Sequence, residues 1–288
     1  TYSLDEVIIE GPWPGTRTKL IDTLNLGNSM FYIYDAETGT LIYSRGFSTM
    51  FGEWQTTAEA KQRPRTMRES VRFPVPKRPF HLTVAERNDD MEFVEMYRVE
   101  IDPNFRNVRR EVRYKDWKTY DIHVPNEPHK CFDVVILADG YTADEQDKLL
   151  TDAKRAAGYY LETAPYSEHK DIIAFRTIGI VSRESGIDMP RRGIWVDTAL
   201  DTSFNSFDSA RYVLTLANKE MRDIAANVPY EVIVIMVNTD RYGGGGIYNL
   251  FNTFAADAEE AKYLALHESG HSFAGLADEY YTSDVRYE

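Results

Sequence analysis

Two histidines and a glutamate within five residues, His267-Glu268-Ser269-Gly270-His271, constrain this chain more than any other segment. Side chains four apart on a helix stack one turn above the other, so a helical reading puts both imidazoles on one face. Two ring nitrogens placed that way can accept one Zn²⁺ at about 2.0–2.1 Å. Glu268, directly after the first histidine, would lie beside such an ion, where it can deprotonate a water rather than ligate. A bare match of this kind also arises by accident, as a pair of packed core histidines. Three surrounding features argue against accident here: helical periodicity, a glycine exit at Gly275, and the acidic pair Asp278-Glu279. The segment therefore predicts a helix carrying a zinc ion and a general base.

Composition narrows what surrounds that helix. At 288 residues with 43% hydrophobic content, the chain is long enough for one large or two ordinary cores. No apolar run reaches the ~18 residues of a membrane span. The start, Thr1-Tyr2-Ser3, carries no basic-then-apolar leader and no initiator Met, which points to a processed or trimmed chain. The net charge of −13 falls unevenly: residues 1–126 hold 18 Lys+Arg against 19 Asp+Glu, and the remainder 15 against 27. An acidic second part speaks against nucleic-acid binding, which needs a basic surface. Cys131 is the only cysteine, so neither an internal disulfide nor a cysteine zinc cluster is available, and a small buried residue is expected there.

The texture changes along the chain. Met30–Tyr34 and Leu41–Arg45 flank a Gly-containing turn at residues 35–39 and read as a hairpin. Val71–Val75, Phe80–Val84 and Phe93–Ile101 read as further strands, with Pro74, Pro76 and Pro79 at edges or turns. An antiparallel β-sandwich over residues 1–125 follows from these. The basic stretch from Lys61 to Arg72 reads as a solvated loop between strands. Charged, Pro-containing sequence around residues 103–130 places the boundary to a second domain, 126–288. There the pattern alternates: a strand at Phe132–Ala138, a capping box at Thr142-Ala143-Asp144-Glu145 opening a helix, a strand at Ile172–Val181, a helix at Phe207–Ala226, and a strand at Tyr230–Val237. The class expected is α+β, with a mixed, mostly parallel sheet in the second domain. The motif helix is expected to begin near Ala255–Asp257, with Phe273 in the core.

Gly243-Gly244-Gly245-Gly246 stands shortly before the motif. Four glycines alone read as a flexible loop. Their position favours backbone approaching a substrate or metal site closely, with Gly244 and Gly245 as candidate substrate contacts. His267, His271 and one carboxylate would leave an open position on zinc, the pattern of a catalytic site. The commonest spacing puts a third ligand ten residues after the first histidine, where Ala277 stands. Asp278 is the expected ligand, one residue displaced, with Glu279 or a residue beyond Glu288 as alternatives. Tyr280 and Tyr281 are weaker candidates for oxyanion contacts. His81, His123, His129 and His169 are expected in ordinary surface or core roles.

The stretch from His267 to Tyr281, together with Phe132-Asp133-Val134-Val135-Ile136-Leu137-Ala138-Asp139-Gly140-Tyr141-Thr142, resembles the bacterial IgA peptidase family of zinc metallopeptidases. The similarity covers roughly residues 130–288, and the earlier residues resemble that family's N-terminal β-sandwich. The resemblance implies a metzincin-like zincin fold, His267 and His271 as zinc ligands, Glu268 as base, and a secreted, periplasmic or cell-surface location. It leaves the substrate open, with host glycoproteins and immunoglobulins among the polypeptides to consider. Family members continue well past the point where this chain stops, ten residues after Asp278. An incomplete site, with weak zinc retention and low activity, is the corresponding expectation.

Three functions compete on these residues. The first is a zinc endopeptidase acting on extracellular proteins. The second is a binding or adhesion protein with a retired zincin part, and the third a zinc amidase acting on non-peptidic amides. The intact Glu268 favours the first over the second.

Overall fold

The computed structural model describes residues 1–111, 113, 114 and 116–278. The expected hairpin forms: β1 (Ser29–Asp35) and β2 (Leu41–Phe47) pair antiparallel. Asp35 closes its turn by accepting the Thr38 N–H at 2.9 Å, and Gly39 supplies the left-handed φ of 68°. A short helix, α1 (Met50–Gln55), is capped by Thr49, whose hydroxyl accepts the Gly52 N–H at 2.9 Å. With β3 (Phe80–Arg87) and β4 (Phe93–Ile101) the hairpin makes a four-stranded antiparallel sheet in the order β2-β1-β3-β4.

One face of that sheet buries Phe31, Ile33, Tyr43, Leu82 and Val84. Among the described residues no second sheet covers it, so the two-layer sandwich is not formed. Irregular chain carrying Trp13, Leu20, Val71 and Phe73 covers it instead. Val71–Val75 accordingly forms no strand: Pro74 and Pro76 lack the N–H groups a ladder needs, while the apolar side chains still pack inward.

A six-stranded mixed sheet follows. Its strands are β5 (Thr119–His123), β6 (Phe132–Asp139), β7 (Ile173–Ile178), β8 (Val232–Val237), β9 (Gly244–Ile247) and β10 (Phe251–Ala255). The order is β5-β7-β6-β8-β10-β9; the four central strands are parallel and both edges antiparallel. Residues 134–138 and 233–237 are buried on both faces, which is why they read as continuous apolar runs rather than alternating ones. Cys131 is buried as expected.

Helix α2 (Gln146–Leu161) starts behind the expected capping box and buries Leu149, Ala153, Ala156, Ala157 and Tyr160. The helix expected over Phe207–Ala226 is cut to α3 (Asn218–Ala225). Its first half instead lies along the sheet edge, where the Val213 N–H donates to the Gly244 carbonyl at 3.0 Å and Tyr212 bridges Gly244. Left-handed Asn205, Phe207 and Asp208 break any helix there. The motif helix α4 (Ala261–Ala274) begins later than expected, because residues 251–255 become β10 and the Ala256 and Asp257 N–H groups then bond to the Val237 and Thr239 carbonyls.

The two sheets meet over a well-packed junction. The Arg72 guanidinium lies 3.6 Å from the Tyr230 ring centroid, pairs with Glu10 at 3.0 Å and donates to the Tyr230 carbonyl at 2.8 Å. Met50 of α1 belongs to the core of the second sheet. The Asn249 amide donates to the Gly46 carbonyl at 3.0 Å.

Candidate metal centre

Helix α4 lies on β9 and β10 with Ala261, Leu264, Ala265, Ser269 and Ser272 buried beneath it. Polar anchors fix its rotation. The buried Tyr160 hydroxyl donates to the Ala265 carbonyl at 2.9 Å and lies 2.7 Å from the Ser269 hydroxyl. Ser272 donates to the Asn252 side-chain oxygen at 2.9 Å. Held this way, the helix turns His267, Glu268 and His271 toward one another.

Beneath the helix the glycine run is an edge strand rather than a loop. A Cβ on Gly246 would stand 2.5 Å from the Glu268 carbonyl oxygen, and one on Gly244 would stand 3.0 Å from the Glu268 side chain. Side chains at either position would push α4 off the sheet. Gly245 faces the other way, where a Cβ would meet the Tyr212 ring at 2.6 Å. Gly244 thus touches the motif itself, while Gly245 makes room for Tyr212.

The third carboxylate arrives by a turn. Gly275 takes φ 62°, its N–H reaching the His271 carbonyl at 3.0 Å, and the Leu276 N–H bonds to the Gly270 carbonyl at 3.1 Å. The reversal brings the Leu276 carbonyl to 2.6 Å from His271 Nδ1. It also sets Asp278 Oδ1 at 3.1 Å from His267 Nε2 and 3.0 Å from His271 Nε2. The two Nε2 atoms are 3.1 Å apart. Glu279, Tyr280 and Tyr281 lie outside the described residues.

These positions fix what the cluster can hold. A carbonyl only accepts, so in the neutral imidazole His271 Nδ1 carries the proton and Nε2 presents a lone pair. The Tyr263 hydroxyl, which can either donate or accept, lies 3.3 Å from His267 Nδ1. Asp278 Oδ1 is buried without a hydrogen-bond partner. Three atoms able to ligate therefore lie within 3.1 Å of one another, an arrangement that a shared cation relieves and that fits a metal.

Glu268 is part-exposed as a residue but its side chain is buried. Burial first, and the Asp278 carboxylate second, push its carboxyl up to about 8. A cation held by the histidines would draw that value down again.

Sequence reasoning missed Tyr212 and Glu53. Tyr212 closes the far side of β9, and its hydroxyl faces Glu53 of α1 at 3.5 Å. Burial, then Glu53 and Glu268, raise its pKa well above the ordinary tyrosine value, so it stays a neutral phenol. No local motif marks either residue, because the sheet edge and α1 bring them together from 159 positions apart. Among the described residues, His81, His123, His129 and His169 do not join the cluster. Phe273, expected in the core, is 40% exposed, with its ring 4.4 Å from that of Phe132.

The family model described as IgA Peptidase M64 matches residues 122–288, and that described as Peptidase M64 N-terminus matches residues 1–98. No curated protein matches the chain.

Proposed function

Since the chain belongs to the M64 family of IgA peptidases, we propose that it is a zinc-dependent endopeptidase of extracellular polypeptides, with a zincin-type catalytic part over residues 126–288 that takes its edge strand β5 (Thr119–His123) and the core residue Met50 from the N-terminal part over 1–125. His267, His271 and Asp278 are the proposed ligands and Glu268 the general base. The carrying observation is the convergence of Asp278 Oδ1 and the two Nε2 atoms at 3.0–3.1 Å. Donor atoms around a tetrahedral Zn²⁺ stand ~3.3 Å apart when the bonds are about 2.0–2.1 Å, so this triad suits zinc with little adjustment.

When bound, the ion supplies Lewis acidity, polarising the scissile carbonyl and bringing the pKa of a water down to about 7. Glu268 takes the proton from the attacking water and passes it to the leaving amine. The Leu276 carbonyl keeps His271 in the tautomer that presents Nε2. Glycines at 244 and 246 let the strand approach the helix closely; Gly244, expected as a substrate contact, gives its N–H to the Arg211 carbonyl and its carbonyl to the Val213 N–H, and Gly245 packs against Tyr212, so both serve the packing of the site instead.

A peptidase family implies a polypeptide substrate. Among the described residues no helix is long and apolar enough to cross a membrane. The retained Glu268 speaks against a retired enzyme that only binds. The test uses full-length protein on an unfolded polypeptide, with metal content measured alongside. Cleavage should stop with a chelator, return with zinc, and fall about 10²–10⁴-fold in Glu268→Gln while zinc stays bound. Cleavage that survives the chelator would sink the reading.

A further inference from the structure

The mechanism above makes no use of the arginines that gather where β9 begins. Arg241 precedes Gly244 by three residues. Its guanidinium lies 4.3 Å from the Phe204 ring centroid and donates to the Ala210 carbonyl at 3.0 Å. Arg211, whose carbonyl accepts the Gly244 N–H at 3.1 Å, holds its guanidinium 5.6 Å from the Tyr242 ring centroid. Arg191 and Arg192 occupy the turn Pro190–Arg192, and Arg191 is tied to Asp208 at 2.8 Å on the same 204–211 segment.

Arg241 feels these neighbours: partial burial, then Arg192, then Arg191 hold it below the usual arginine range. Asp208 is taken by Arg191. Among the described residues Arg192, Arg211 and Arg241 have no carboxylate partner, in a chain whose net charge is −13. Unmatched guanidiniums in one patch repel each other, and an anion bound between them relieves that cost.

The patch is continuous with the metal centre. Gly243 packs on Phe204 and the Arg211 carbonyl, and the next residue, Gly244, packs on Glu268. Arg241 stands three residues before Gly244, just outside β9, so at most about 10 Å of chain separates the two. Resting on the peptidase reading, we infer that Arg192, Arg211 and Arg241 form a carboxylate-binding subsite that selects polypeptides bearing Asp or Glu side chains about three residues from the scissile bond.

The experiment profiles cut sites of the full-length zinc-loaded enzyme on a proteome-derived peptide library. In parallel, binding of a fluorescent Glu-rich peptide and of its Gln-for-Glu counterpart is measured on the Glu268→Gln protein. Acidic residues should be enriched on one side of the cut. The Arg192→Gln/Arg211→Gln double variant should lower the acidic-over-neutral preference roughly three- to tenfold in both assays, and added salt should do the same. Cut sites with no acidic bias, together with equal binding of the two peptides, would overturn the inference. So would a sulfated oligosaccharide binding the patch while the Glu-rich peptide does not. Failure to cut any peptide would remove the peptidase reading alone, since the binding ratio still decides the role of the arginines.

Discussion

At Asp278 the local charge balance is set by what surrounds one oxygen: two Nε2 atoms at 3.0–3.1 Å and no hydrogen-bond donor. Asp278→Asn should therefore weaken zinc binding at least tenfold, read by competition with a chromophoric chelator, because an amide oxygen carries no charge toward the ion. Unchanged affinity would remove Asp278 from the ligand set. Tyr263→Phe deletes the hydroxyl beside His267 Nδ1, and the expected loss in zinc affinity is about tenfold, the low end for an outer partner at 3.3 Å. A loss confined to thermal stability would show that Tyr263 only packs. That His267, Glu268 and His271 cluster was legible in the sequence, because helical periodicity sets the two rings on one face and Glu268 directly follows the first of them. Asp278 was legible only as one choice among several. Its eleven-residue offset from His267 makes sense once Gly275 turns left-handed and folds the chain back over the helix end.

Helix α4 owes its place to contacts at two levels, the glycine strand below and Tyr160 behind. Gly246→Ala would put a methyl 2.5 Å from the Glu268 carbonyl and 2.9 Å from His271 Cβ. Backbone cannot yield cheaply there, so that variant should lose about 2–4 kcal/mol in urea unfolding and bind zinc more weakly. Full stability with full zinc affinity would mean the strand moves freely. Tyr160→Phe leaves the Ser269 hydroxyl without its buried partner; about 1–3 kcal/mol of lost stability is expected, read by the same unfolding measurement. The strong periodic segments, 132–139 and 146–161, formed the elements expected of them. Failures came where tertiary pairing overrode local pattern. Tyr212-Val213-Leu214 has helical spacing, yet its backbone bonds to β9. Gly244–Ile247 looks like a loop because glycine has little strand propensity, yet only glycine fits between α4 and Tyr212.

Across the whole molecule, partly buried acids line the junction between the sheets. Burial pushes Glu69 and Glu231 each up to about 7. Glu69 accepts the Phe51 N–H at 2.9 Å, and Glu231 accepts the Asp133 N–H at 3.2 Å. In both, the folded state holds its proton more tightly than the unfolded chain, so their contribution is complete below about pH 4.5 and is lost as pH rises through about 7. With metal removed by a chelator, Glu69→Gln/Glu231→Gln should gain on the order of 1–3 kcal/mol relative to the parent between those pH values. A difference that stays flat with pH would refute the buried-acid account. Arg72, clasped between Glu10 and the Tyr230 ring, makes the same junction a shared surface rather than a tether. Excising the second half at residue 126 would strip β5 from β7, bare Tyr230, and take Met50 out of a core it helps to fill. Such a fragment, expressed by itself, should collect in inclusion bodies, and co-expression with residues 1–125 should bring it back into solution.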